Sequence, residues 1–449
     1  MIKTLLAAAI GAAFSAGAIA DSGKHGAMAF DPIAGSAYVE STTDPLILNS
    51  EPWVIPEGYQ QAIVSDESSL NVYQNGDGSA ASDWPDMNTV NETGKHAGRY
   101  MYRTHEVRPG AVAPFTGGAL SVIDLKTGES RVLVQRADLE ALDGIVWTPW
   151  RTVLFAEESI VAQLPDPEVP AAKSGLLYEL ELDKHDPMKA KKVTVRPLLG
   201  SLSHEGIEID AEGNVYVIDE DRAGSIYKFV PENYGDLSSG QLFALKVDGG
   251  AKTGTAAWVA LDMNQVQIDA RVAAKAVGAT PFCRPEDLER IGNTLYAALT
   301  CEDVANPANT SGAGAVLSVT LGNIPKVGYF VAHGVNVVKE DKATQVTGFK
   351  SPDNLAKGPD GRLWIVEDNV PSDIWVAEPD RDGDGYSDGV SLFASLKDNQ
   401  AEGTGIYFGK DPRKLYVNVQ HSATKNDKTM VITKKHQDRD DDHEHDHDD

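Results

Sequence analysis

A repeated hairpin plan constrains the fold of this chain more than any other feature. In each copy an acidic residue precedes a short apolar run, a turn with Gly or Pro follows, and a second β-rich run leads back to polar or acidic residues. Turns such as AEGN, PDGR and KDPR are typical of β-hairpins. The five copies are LDGIVWTPWRTVLFAEES (142–159), HEGIEIDAEGNVYVIDED (204–221), PEDLERIGNTLYAALTCED (285–303), PDNLAKGPDGRLWIVEDN (352–369) and AEGTGIYFGKDPRKLYVNVQHS (401–422).

The spacing of these hairpins predicts a β-propeller. Their apolar runs begin 51 to 81 residues apart, at Ile145, Ile207, Leu288, Leu355 and Ile406. Further β-rich runs lie at 118–125, 175–182, 225–230 and 314–321, which allows four strands in each repeat. We therefore predict an all-β fold, a propeller of about six blades with loop and short helical insertions. Residues 262–279 are the clearest helical insertion.

The acidic residues at the hairpin ends predict a metal site. In an antiparallel hairpin the start of the first strand lies beside the end of the second. If each hairpin forms the inner strands of a blade, these ends converge on one mouth of the central channel. Strand ends also favour Asp and Glu because they are solvated. Four hairpins share the same placement of acids, however, which favours a common site. Calcium suits a ring of carboxylates. The expected neighbours are Glu205 and Asp219, Glu286 and Glu302, Asp353 and Glu367, and Glu402 and Gln420.

Charge limits the partners of the protein. The formal net charge is −27 and the sequence pI about 4.7, so nucleic acid and anionic membrane surfaces would repel the chain. Cations are the natural partners. One cationic residue, Arg284, stands beside the predicted ring, where it could form an ion pair with Glu286 or Asp287 or serve as an anion clamp facing the metals. The residues alone leave both interpretations open.

Both ends of the chain differ in composition from the middle. Residues 1–20 combine Lys3, an apolar run and small residues at Ala18 and Ala20, which predicts a cleaved signal peptide and a periplasmic or secreted protein. No later stretch is long and apolar enough to insert in a membrane. We expect a lead-in segment at 21–50, the propeller at 51–425, and a disordered Asp- and His-rich tail at 426–449. A solvated tail is favoured over one that collects transition metals.

The two cysteines flank one hairpin. Cys283 precedes its first strand and Cys301 ends its second, so the hairpin brings them close. In an oxidising compartment a disulfide is favoured over metal ligation by either thiolate.

A second acidic motif stands apart from the ring. DRDGDGYSDG (380–389) places Asp380, Asp382, Asp384 and Asp388 at loop positions 1, 3, 5 and 9, with a glycine at position 6. This pattern predicts a structural calcium loop, although Ser391 stands where an EF-hand has its bidentate Glu.

Taken in order, the motifs resemble the PhoX-type alkaline phosphatase family over roughly residues 50–422. The resemblance rests on RTHEV (103–107), TPWRTVLFAEE (148–158), HEGIEID (204–210), FCRPEDLE (282–289), SPDNLA (351–356) and the segment from Glu402 to LYVNVQHS (415–422). It implies a secreted propeller phosphatase with an iron pair and calcium ions at the channel mouth. By this resemblance Arg284 contacts the phosphoryl oxygens, and the implied metal ligands are Glu205, Glu286, Asp219, Glu157 or Glu158, and Glu402.

Two departures from the family pattern bear on the metals. Ala156 stands where the family usually has an iron-ligating Cys, and no Arg pair precedes the apolar run of the signal peptide. Loss of a soft thiolate favours calcium, with iron as a second candidate. The expected function is hydrolysis of a small phosphate monoester. The alternatives are a noncatalytic calcium-binding propeller and a calcium-dependent lactonase or esterase.

Overall fold

Six blades, each built on four antiparallel strands, form a closed ring around a central channel. The computed structural model describes residues 26–33, 41–72, 83–108, 117–160, 166–172, 174–334, 338–339 and 348–435. The first three blades are β3–β6 (Pro85–Val90, Tyr100–His105, Ala119–Asp124, Ser130–Gln135), β7–β10 (Leu142–Trp147, Val153–Glu157, Leu177–Leu182, Ala190–Val195) and β11–β14 (Ile207–Ile209, Val215–Ile218, Ile226–Pro231, Gly240–Val247). Each inner strand contacts the inner strands of its two neighbours, so the ring closes.

Blades 4 and 5 carry additional strands, and blade 6 takes its outer strand from the N-terminal part of the chain. Blade 4 is β16–β19 (Pro285–Ile291, Thr294–Leu299, Ala315–Thr320, Lys326–Ala332), and β15 (Gly254–Ala260) pairs with both β14 and β19. Blade 5 is β21–β24 (Pro352–Lys357, Leu363–Glu367, Asp373–Ala377, Val390–Leu396), extended at β24 by β1 (Trp53–Val54) and β20 (Val338–Lys339). Blade 6 is β25–β27 (Glu402–Phe408, Lys414–Gln420, Lys428–Lys434) with β2 (Tyr59–Asp66) at its outer edge.

Pairing of the chain ends closes the propeller. The N-terminal strand β2 runs antiparallel to the C-terminal strand β27, with Tyr59 opposite Lys434 and Asp66 opposite Lys428. The predicted tail boundary at residue 426 is therefore too early, since residues 428–434 complete a blade. The predicted signal peptide and the last fourteen residues of the tail lie outside the described residues.

Apolar side chains fill the spaces between neighbouring blades. Most inner and middle strands are buried along their whole length because each sheet is covered on both faces, as in β4 and β22. Outer strands such as β6 are half exposed. The five predicted hairpins are all present, and the sixth, β3–β4, escaped the sequence analysis. Their tight turns use glycines in the left-handed region, such as Gly213 and Gly361 at φ +84° and +81°.

Few helices accompany the strands. In the part of the chain that the structure describes, they are α1 (Pro45–Ser50), α2 (Met263–Val277) and two 3₁₀ turns (Pro197–Leu199, Asp248–Gly250). Helix α2 lies in the predicted insertion. It begins at Asp262, whose side chain accepts a hydrogen bond from Asn264, and it ends at Gly278 in the left-handed conformation. Among the described residues no helix has the length and apolarity needed to cross a membrane.

Candidate active site at the channel mouth

A recurring bulge turns one acidic side chain per blade into the channel. In β3, β7, β16 and β21 the first residue pairs with the neighbouring strand, and the register then shifts. A bulge re-aims the residue that it inserts. The residues that follow the first pair are Asp86, Asp143, Glu286 and Asp353, and Glu205 precedes β11 in the same way.

The sixth blade breaks the pattern. In β25 the bulge begins at Thr404, two residues deeper, and Gly405 takes the place of the acidic residue. A Cβ at Gly405 would lie 2.1 Å from the carbonyl oxygen of Asp86, so no larger residue fits. Glu402, opposite Gln420 at the start of the strand, supplies the carboxylate of this blade instead.

A second set of acids comes from the residues just after the second strands. Together with the first set they form one group, which we call the channel carboxylates. Its members are Asp86, Glu106, Asp143, Glu158, Glu205, Glu220, Glu286, Asp353, Asp368 and Glu402.

Two triads among the channel carboxylates have the geometry of cation sites. In the first, oxygens of Asp86, Glu106 and Asp143 all lie within 4.8 Å of one another. The Gln420 amide donates to Asp86 Oδ2 at 3.2 Å and to Glu106 Oε2 at 3.3 Å. Asp143 Oδ1 is buried and has no hydrogen-bond partner among the described residues. A buried carboxylate oxygen without a donor fits a metal ligand.

The second triad lies on the neighbouring blades. Oxygens of Glu158, Glu205 and Glu220 fall within the same 4.8 Å limit. The Ser203 hydroxyl donates to the carbonyl oxygen of Glu158, which fixes the loop after β8. Because these three residues come from blades 2 and 3, the triad depends on the packing of these two blades against each other.

Arg284 lies between the second triad and the rest of the ring. Its Nε is 2.8 Å from Glu220 Oε1 and 2.9 Å from Glu286 Oε1, and Nη1 is 3.6 Å from Asp368 Oδ2. The Thr300 hydroxyl donates to Glu286 Oε1 at 2.6 Å and holds that carboxylate in place. The Arg284 side chain is 31% exposed, so it can reach a bound anion.

The backbone around Arg284 is fixed on both sides. Arg284 has φ +47°, and the residues in the same place before β3, β7 and β21, which are Trp84, Ala141 and Ser351, have positive φ as well. The left-handed conformation is thus part of the blade geometry and directs this position toward the mouth. Cys283, the preceding residue, forms a disulfide with Cys301, with a Cα–Cα distance of 5.2 Å.

Burial and mutual repulsion make several of the channel carboxylates hard to ionise. Burial, followed by the neighbouring carboxylates, raises the pKa of Glu106 to about 7 and holds the pKa of Asp86 and Glu205 well above the usual range. The pKa values of Glu158 and Glu220 are also raised to about 7, and that of Asp368 to about 6. Burial disfavours the charge of Arg284, but Glu286 and Glu220 outweigh it and raise its pKa. Bound cations would reverse the effect on the carboxylates.

Several residues predicted for the ring lie outside it. Both oxygens of Asp219 bind Arg271 of α2, at 2.6 Å each. Glu157 accepts backbone N–H groups of Glu140, Gly175 and Leu176 at 2.8 to 3.0 Å. These carboxylates stabilise loops.

Two expected neighbours in the other hairpins are also engaged elsewhere. Glu302 accepts from the Cys283 amide and the Tyr329 hydroxyl, and Glu367 accepts from the Lys350 amide. Side chains alternate along a strand, so the channel is faced by the residues that follow Glu157, Asp219 and Glu367. These are Glu158, Glu220 and Asp368. The acids of blade 1 were not predicted, although DWPDMNTV at 83–90 followed by RTHEV at 103–107 repeats the hairpin plan.

The remaining predicted residues lie away from the mouth. Ala156, on β8, is fully buried in the apolar cluster between blades 2 and 3. In the loop between β23 and β24, oxygens of Asp380, Asp382 and Asp388 lie within 4.8 Å of one another. Asp384 instead accepts the Tyr386 amide at 2.8 Å.

Comparison with known proteins identifies the family. The family model described as alkaline phosphatase PhoX matches residues 146–423, more than half of the chain. The fold resembles that of Pseudomonas fluorescens PhoX in complex with vanadate, a transition state analogue (TM-score 0.61, 18% identity, 90% of this chain and 98% of the other).

Two other similar structures resemble the chain less. They are a structural genomics protein of unknown function from Bacteroides thetaiotaomicron (TM-score 0.43, 10% identity, 83% and 76% covered) and the Myceliophteria thermophila Cps50 (Swd1) β-propeller domain (TM-score 0.42, 11% identity, 83% and 99% covered). No curated protein sequence matches. On the strength of the family-model match, the chain belongs to the PhoX alkaline phosphatase family.

Proposed function

We propose that this protein is an exported, metal-dependent phosphatase that hydrolyses small phosphate monoesters at the channel mouth. The observation that carries the proposal is the position of Arg284, a partly exposed guanidinium held by two carboxylates beside a triad with cation-site geometry. A lactonase or a purely structural metal site has no evident use for this arginine.

Calcium is the cation that the donor set fits best. The members of both triads are carboxylates and supply oxygen, and the imidazole of His421 lies 3.2 Å from Glu402. Oxygen donors suit hard cations of adaptable geometry. Iron is the second candidate, and it would lack a thiolate at Ala156, which packs among apolar side chains.

The triads, Arg284 and the residues around Arg284 have different roles in this proposal. The two triads hold cations, and bound cations would supply charge that polarises the phosphoryl oxygens and activates water. Arg284 donates to the phosphoryl oxygens and offsets the charge that develops on them during in-line displacement. Glu220, Glu286 and Thr300 orient the guanidinium and its partner carboxylate before substrate arrives.

Activity measurements with defined metals test this proposal. Purified full-length protein, freed of metal by a chelator and reloaded with calcium, then with calcium and iron, should hydrolyse a chromogenic phosphate monoester faster than a diester or a lactone. Loss of activity on chelation and recovery on reloading are expected. Hydrolysis of no phosphate ester under any loading would refute the proposal.

Metal content needs a control for the C-terminal tail. The tail contains four histidines, at positions 436, 443, 445 and 447, which can bind transition metals on their own. A variant with these four histidines replaced by asparagine should keep the channel metals. If it loses all bound metal, the metal belongs to the tail and the channel site is refuted.

A further inference from the structure

A second arginine approaches the same triad as Arg284 from the other side of the channel. Arg108 follows β4 of blade 1 by three residues, and its Nη2 lies 3.0 Å from Glu158 Oε2. Arg284 precedes β16 of blade 4 and pairs with Glu220. Blades 1 and 4 are opposite in a ring of six, so the two guanidiniums reach the triad of Glu158, Glu205 and Glu220 from facing walls.

We propose that Arg108 is a second substrate-binding residue, which contacts the phosphoryl group of the bound ester opposite Arg284. The inference rests on the proposed phosphatase function, and it assigns a residue that the family resemblance did not supply.

Exposure supports a role in binding. The Arg108 side chain is 49% exposed, compared with 15% for its partner Glu158, so about half of its surface is accessible to a ligand. A guanidinium has five N–H groups, and the contact with Glu158 uses Nη2 alone. The remaining N–H donors lie in the plane of the same guanidinium. Their paired arrangement matches two oxygens of a phosphate.

Charge balance points the same way. Among the described residues, the basic groups within ion-pair distance of the channel carboxylates are Arg108, Arg284 and His421. Cations held by the triads would neutralise the carboxylates that pair with these arginines. The charge of Arg108 would then lack a balancing partner, and a phosphate dianion at the mouth would supply one.

The alternative is that Arg108 only neutralises Glu158. The two roles differ in what replacing the arginine changes. A neutralising residue affects metal affinity and stability, and its loss is compensated at saturating metal. A substrate-binding residue affects the affinity for phosphate even when every metal site is full.

Inorganic phosphate is the probe that separates these roles without relying on turnover. Titration calorimetry of metal-saturated full-length protein gives its dissociation constant, and mass spectrometry gives the metal content. Arg108→Gln should weaken phosphate binding tenfold to a hundredfold, the range for a hydrogen bond to a charged group. Arg108→Lys, which keeps the charge and loses the fork, should fall between Arg108→Gln and wild type.

Arg131 offers a matched control. It is 46% exposed, lies on the outer strand of the same blade and pairs with Glu129 at 2.6 Å. Arg131→Gln should leave phosphate affinity and metal content unchanged. Wild-type phosphate affinity in metal-saturated Arg108→Gln would overturn the inference while leaving the phosphatase function standing. If wild type binds phosphate in a manner sensitive to Arg108 yet hydrolyses no ester, the proposed function fails and the binding role of Arg108 survives.

Discussion

Replacing Arg284 by Lys should separate transition-state stabilisation from metal binding. The guanidinium Nε contacts Glu220 at 2.8 Å and Glu286 at 2.9 Å, which leaves the two terminal nitrogens for the phosphoryl oxygens and for Asp368. A lysine ammonium is a point charge that cannot hold both carboxylates and also present a planar pair of donors. The substitution therefore keeps the charge and loses the geometry.

The expected loss follows from that geometry. Removal of one preorganised donor to a developing anion lowers kcat by about a hundredfold to a thousandfold, or ~3 to 4 kcal/mol of barrier. We expect about a hundredfold for Arg284→Lys, because the charge remains. Calcium content and melting temperature should stay near wild type, since neither triad loses a ligand.

Glu286→Gln is the matched comparison. It keeps the size of the side chain and the position beside Thr300, but it removes one negative charge from the ring, so metal affinity and turnover should fall together. Steady-state kinetics on a chromogenic monoester, with metal content measured on the same samples, gives both readouts. Arg284→Lys with more than a tenth of wild-type kcat at full metal content would refute the assigned role of Arg284.

Three further predictions concern the disulfide, the Asp-rich loop and the pH dependence of stability. Replacing both Cys283 and Cys301 by Ala should lower the free energy of unfolding by about 3 kcal/mol, since the bond spans 18 residues, and should reduce turnover; an unchanged denaturation midpoint would contradict this. Replacing Asp382 and Asp384 by Asn should remove part of the calcium-dependent rise in melting temperature and spare activity at saturating calcium, and complete loss of activity in a folded variant would place the loop in the catalytic site. The raised pKa values of Glu106, Glu158 and Glu220 mean that the folded metal-free protein binds more protons than the unfolded chain, so its stability should fall as pH rises from about 4.5 to 7. A melting temperature that rises over this range in chelated protein would contradict the linkage, and calcium should flatten the dependence.

The blade repeat was predictable because each hairpin is indicated by a local sequence pattern. Alternating apolar runs and turn residues identify a hairpin within about twenty residues, and five hairpins of one plan imply radial repetition. The hairpin of blade 1 was missed because a nine-residue connection, 91–99, separates β3 from β4. A longer connection carries a weaker turn signal than AEGN or PDGR.

The identity of the channel-facing acids was less predictable. Pairs such as Glu157 and Glu158, or Asp219 and Glu220, put two carboxylates side by side, and only one of each pair can face the channel. The register of the hairpin decides which one, and a bulge such as that in β7 shifts the register without leaving a mark in composition. In two hairpins the residue that faces the channel, Glu220 or Asp368, therefore lies one position beyond the expected Asp219 or Glu367.

Gly405 tests whether the bulge geometry sets the metal site. It has φ +57°, and a Cβ there would lie 2.1 Å from the Asp86 carbonyl oxygen and 2.4 Å from the Asn418 amide nitrogen. Gly405→Ala therefore has to push Asp86 away from Glu106 and Asp143. We expect a loss of about 3 kcal/mol or more in stability, from the left-handed backbone and the clash together. Calcium affinity should fall tenfold or more, because the first triad opens.

Gly361→Ala supplies the control, because Gly361 shares the left-handed backbone, at φ +81°, and has nothing within 4 Å of the added Cβ. It lies in the turn between β21 and β22, far from the triads along its blade, and should cost only about 1 kcal/mol. Chemical denaturation and calcium titration of both variants give the comparison. The difference between them isolates the steric effect of closing the space beside Asp86. If Gly405→Ala binds calcium as tightly as Gly361→Ala, the position of Asp86 does not govern the first triad, and the channel metal must depend on the Glu158, Glu205 and Glu220 triad alone.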